Sequence, residues 1–93
     1  MNKRPYFKFR LYVAGNGPNS VQAVDNLQAL CREHLVDRHE IEVVDVLREP
    51  ERALADLVML TPLLIKLSPA PIRKFIGTLQ TREPVLRALG LPA

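Results

Sequence analysis

The chain has 93 residues, of which 47% are hydrophobic and 25% charged, so it reads as one globular domain spanning 1–93 and is too short to build a large multi-layer active site. Its net charge of +3 conceals a polarity. Residues 1–10 carry four basic and no acidic side chains, 11–65 carry four and nine, and 66–93 carry five and one. Two basic ends around an acidic middle favour oriented association with a protein surface or with a second copy over nucleic acid, which calls for a denser basic stripe with exposed aromatics.

Phe7, Phe9, Leu11 and Val13 share one parity and Tyr6, Lys8, Arg10 and Tyr12 the other, which predicts a strand over about 6–13 with one apolar face. Ala14-Gly15-Asn16-Gly17-Pro18 breaks it. Pro18 suits the first position of a helix, and Val21, Ala23, Val24, Leu27, Leu30, Cys31 and Leu35 recur at helical spacing to about Val36. The β-branched run Ile41–Leu47 reads as a second strand, parallel to the first through a right-handed crossover. Pro50 opens a short second helix whose apolar positions are Ala53, Leu54, Leu57 and Val58. After Thr61-Pro62, the stretches 63–67 and 72–78 form a hairpin across the stiff connection Ser68-Pro69-Ala70-Pro71. Thr81 is placed to cap a last helix with Val85, Leu86 and Leu89 inward, and Gly90 and Pro92 end it. The order is βαβαββα, an α/β chain with a mixed four-stranded sheet.

The longest apolar run is far short of a membrane span, and no secretory leader is legible, so the chain is expected to be cytoplasmic with no membrane association. The single Cys31 agrees with a reducing compartment. Gly15-Asn16-Gly17-Pro18 lacks the Gly-Lys-Ser/Thr of a phosphate loop and reads as a tight turn. Cys31 and His34 do not make up a closed metal-ligand set, and no serine sits in a nucleophile elbow, so no metal, cofactor or catalytic residue is expected. Thr61-Pro62 lies where thioredoxin-like folds place a cis-proline, and a cis bond is expected there.

Leu11-Tyr12-Val13-Ala14-Gly15-Asn16 with Pro18-Asn19-Ser20, Val44-Asp45-Val46-Leu47 with Pro50, Thr61-Pro62 with Lys66-Leu67, and Pro69-Ala70-Pro71 with Arg73 and Gly77 together resemble the KaiB family of circadian clock proteins. The resemblance spans about 7–89. It implies a non-enzymatic binding module that associates with the ATPase ring of a KaiC-like protein, with a sensor histidine kinase as a further partner. It also implies a choice between a thioredoxin-like βαβαββα state and a tetramer-type βαββααβ state, with dimers or tetramers as oligomers. Partner binding is expected on the second helix and its flanks, at Arg48, Glu49, Arg52, Asp56 and Leu57. Pro62, Pro69, Pro71, Gly77 and Thr78 are expected to determine the fold. Thr78 stands where cyanobacterial members usually carry aspartate, and Leu57 where a lysine is common. The competing readings are a KaiB-like input domain of a histidine kinase and a thioredoxin-like oxidoreductase. The latter requires a reactive cysteine at the first strand–helix turn, which here reads Gly15–Ser20.

Overall fold

A computed structural model describes residues 4–93; the basic Lys3 of the N-terminal stretch, and the first three positions of the single-domain span 1–93, lie outside the described residues. The elements run β1 (Phe7–Val13), α1 (Pro18–His34), β2 (His39–Asp45), α2 (Pro50–Ala55), β3 (Leu63–Ser68), β4 (Arg73–Ile76) and α3 (Arg82–Ala88). The sheet order is β2-β1-β3-β4, with β1 parallel to β2 and antiparallel to β3, and β3 antiparallel to β4. This is the βαβαββα arrangement, not the tetramer-type alternative.

Strand parity divides the core into two layers. Phe7, Phe9, Leu11, Val13 and Leu64 pack with Ala23, Leu27, Leu30, Cys31 and Leu35 of α1 and its end, and with Val85, Leu86 and Leu89 at α3. On the other face Tyr12, Val44, Leu63 and Ile65 meet only Ala53 of α2, with Val46, Val58 and Leu67 at the margin.

Several boundaries move. The second strand lies two residues earlier than its apolar run, because Asp45 accepts hydrogen bonds from the Gly15 and Leu47 amides and turns the chain, leaving Leu47 in solvent. The first helix stops at His34, ahead of Asp37 in the left-handed region, so Val36 is exposed, as is Val21 near the helix start. The fourth strand shortens to Arg73–Ile76, where Gly77 at φ +111° ends it and donates its N–H to the Pro62 carbonyl at 2.9 Å. Thr81 precedes α3 in extended conformation but makes no side-chain capping bond. The Thr61-Pro62 bond is cis as expected, and so are Ser68-Pro69 and Ala70-Pro71.

The ends of α2 and α3 share one closing motif. In α3, Gly90 at φ +75° donates to the Arg87 carbonyl and Leu91 to the Leu86 carbonyl. In α2, Leu57 at φ +56° donates to Leu54 and Val58 to Ala53. This double bond pattern normally places glycine in the left-handed position, since a Cβ there crowds the backbone. A leucine holds it in α2.

Candidate protein-interaction surface

The short helix α2 is held on the sheet by charge more than by apolar packing. Arg10 projects from β1 on that face and donates from Nε to Glu42 Oε1 at 2.8 Å and from Nη1 to Asp56 Oδ2 at 3.0 Å. The Tyr12 hydroxyl also bonds Asp56, and it lies 3.0 Å from the Arg52 carbonyl. Arg52 closes the circuit, its guanidinium 2.9 Å from Glu42 and 3.7 Å from Glu49. The register explains the meeting, because Arg10 is the β1 partner of Glu42 and Tyr12 of Val44, all on the α2 face.

The electrostatics follow the contacts. Asp56 is held below its ordinary range by the Tyr12 hydroxyl and then by Arg10, and Glu42 by Arg10 and then Arg52. Burial and the neighbouring Asp56 push the Tyr12 phenol up to about 12. The Leu47 and Gly15 amides hold Asp45 low. Of the residues expected to bind a partner, Arg52 and Asp56 are thus half-buried members of an internal network, correcting the expectation that their charges stand free on the helix. Glu49 precedes the helix and is half-buried, facing Arg52. Arg48 is exposed in the turn before it, its guanidinium 3.9 Å from Asp45.

Leu57 has the outward position expected of it. It is 74% exposed, and around it lie Met59 (88%), Leu60 and Ile76 (67%), which with Leu63 and Lys74 line a groove between the end of α2 and the edge strand β4. A second depression shares Leu57 and Lys74 and continues to Ile72 and Leu67. Leu54, counted among the apolar positions of the helix, is exposed one residue before α2 ends at Ala55. Sequence reading missed Met59, Leu60, Ile72, Lys74 and Ile76. Period-two parity in β4, which sets Ile72, Lys74 and Ile76 against Arg73 and Phe75, is the signal that identifies the last three. Arg10, Tyr12 and Glu42 were legible only as strand residues.

The proline-rich hairpin frames the groove: Pro62 is buried at the base of β3, while Pro69 and Pro71 shape the connection at its far end. The Thr78 carbonyl accepts from Asn26 Nδ2 at 2.8 Å, tying the chain after β4 to α1. The first strand–helix turn has its own amides engaged, Ala14 N–H with Ser20 Oγ at 3.2 Å and Gly15 N–H with Asp45 Oδ1 at 3.1 Å. Cys31 is fully buried on α1 and burial pushes its thiol up to about 11, the opposite of an activated thiolate. Among the described residues no helix is long and apolar enough to cross a membrane.

A family model described as the KaiB domain matches residues 10–91. The chain is 44% identical over 92 residues to a circadian clock oscillator protein KaiB of Nostoc sp., covering 98% of this chain and 85% of that one. It is 42% identical over 82 residues to the circadian clock protein KaiB3 of Synechocystis sp., covering 88% and 80%. Among solved structures, the N-terminal domain of Synechococcus elongatus SasA superposes with a TM-score of 0.76 at 18% identity, covering 96% of this chain and 84% of that one. A chloroplastic thioredoxin z gives 0.73 at 15% identity over 94% and 81%. At these identities the two structures speak for the thioredoxin-like fold alone.

Proposed function

The chain belongs to the KaiB family, and on that premise we propose that it is a non-enzymatic, cytoplasmic binding module that docks on the ATPase ring of a KaiC-like protein. The docking face is the groove between α2 and β4, with Leu57 as its anchor and Arg48 at its rim. There it shares or contests the ring with a sensor histidine kinase. The observation that carries this reading is Leu57 itself: a leucine in a left-handed glycine position, with most of its side chain in water. Folding gains nothing from that choice, since the conformation costs on the order of 1 kcal/mol relative to glycine and the side chain buries little in return. A partner that covers Leu57, Met59 and Ile76 supplies the missing burial, and a central apolar anchor with a charged rim is how most interfaces distribute their energy.

The test is a titration of wild type, Leu57→Glu and Arg48→Glu against a purified KaiC-like hexamer, with circular dichroism to check that each variant folds. Leu57→Glu is expected to weaken binding at least about tenfold, as loss of an anchor does, and Arg48→Glu to weaken it less, through the association rate. Equal affinity for wild type and Leu57→Glu removes the groove from the interface.

A further inference from the structure

On the sheet face turned away from α2, one lysine is buried without a counter-charge. Lys66 keeps only 3% of its surface exposed. It is the β3 partner of Phe9, so it rises on the side of the α1/α3 layer, and its partner on the other flank is Arg73 of β4. That is the last pair of the hairpin before the Ser68–Ile72 connection. Among the described residues no carboxylate lies within ion-pairing distance of either side chain. What acts on the Lys66 ammonium is burial first and the charge of Arg73 second, and both disfavour it. The other strongly held cations, Arg10 and Arg52, each have a carboxylate partner.

We infer that Lys66 and Arg73 form a binding site for one small oxyanion, a carboxylate or a phosphate, at the loop end of the β3–β4 hairpin. Lys66 packs its stem into the core and faces a guanidinium with no carboxylate beside either, and an oxyanion between the two cations relieves the repulsion of both. The planar fork of Arg73, exposed at the rim, suits two oxygens of such a group, and Lys66 below it contributes a point charge. This site stands on the opposite side of the sheet from the docking groove and does not depend on it.

The experiment follows backbone amide shifts of the full chain in separate titrations with sodium phosphate and sodium acetate, chloride holding the ionic strength constant. Saturable shifts centred on Phe9, Lys66 and Arg73 are expected. Saturation in phosphate alone assigns a phosphate ligand, and saturation in acetate assigns a carboxylate. Lys66→Met, which keeps the length without the charge, and Arg73→Gln, an exposed position that leaves the core intact, should each weaken the response about tenfold, the loss of one charge-assisted hydrogen bond. The phosphate- or acetate-dependent rise in melting temperature over chloride should shrink in Arg73→Gln. Shifts that stay linear and equal in all three salts, or a saturating response unchanged in Arg73→Gln, overturn the site.

Discussion

Over Phe7, Phe9, Leu11 and Val13 the helices α1 and α3 lay a continuous apolar layer, whereas over Tyr12, Val44 and Ile65 a helix of six residues supplies one buried alanine and a circuit of charges. The first face is closed by area removed from water, which is indifferent to pH and little affected by salt. The second depends on two carboxylates staying ionised and leaves Leu54, Leu57, Met59 and Ile76 outside. Stability is thus concentrated on one side of β1 and exposed apolar surface on the other.

The largest effect that sharpens this contrast comes from cutting into the first face. Leu27→Ala should cost about 2–5 kcal/mol, measured by urea unfolding, while Leu54→Ala on α2 should stay within about 0.5 kcal/mol. Equal costs would break the comparison.

Next in size is Asp56→Asn, which removes the carboxylate that Arg10 and Tyr12 share and should cost about 1–3 kcal/mol at neutral pH. The pH dependence has a definite sign. Asp56 and Glu42 have folded values below their ordinary 3.8 and 4.5, so their contribution is present above those values and disappears as pH falls through the lowered range. The melting temperatures of wild type and Asp56→Asn should therefore converge on acidification. At the alkaline end Tyr12, raised from 10.0 to about 12, favours the folded state until pH climbs through that interval, and its phenolate absorbance should emerge late and together with unfolding.

Smaller still is Leu57→Gly. Relief of the left-handed conformation should stabilise the fold by up to about 1 kcal/mol, partly offset by the freer unfolded chain, while weakening partner binding. Gly90→Ala, at the matching position of α3, should destabilise by a similar amount. Opposite signs at two geometrically equivalent sites would separate a residue kept for the fold from one kept for its exposed side chain. The smallest effect belongs to Arg82→Ala, which breaks the surface pair with Glu33 at 2.6 Å and should cost about 0.2–1 kcal/mol, declining with salt.

Sequence alone revealed the element order, because the period-two run of β1 and the three- and four-residue spacing of α1 are strong local signals, and the turns are marked by Gly15, Gly17, Pro50, Pro62 and Gly90. It misplaced β2 because Val46 and Leu47 look like strand residues until Asp45 captures the amides beyond it. At the candidate site Leu57 was legible as an exposed apolar residue. The binding roles assigned to Arg52 and Asp56 rested on reading them as free charges, since nothing local to α2 discloses that Arg10, Tyr12 and Glu42 face it. The Arg10 and Tyr12 contacts with Asp56 join residues more than 40 positions apart, and they exist only after the sheet is in register. Lys66 was legible as part of a family motif, but its burial depends on which side of β3 faces α1 and α3.

The position of β1 in the sheet also bears on how the chain reaches its fold. β1 is flanked on one side by residues 39–45 and on the other by residues 63–68. Neither edge of it can be satisfied by a neighbour close in sequence, so the nucleus must close long loops before any ladder repays the entropy. Until then the alternating apolar strand is an open template, and Lys8 and Arg10 on it are the like charges that discourage two nascent chains from pairing there.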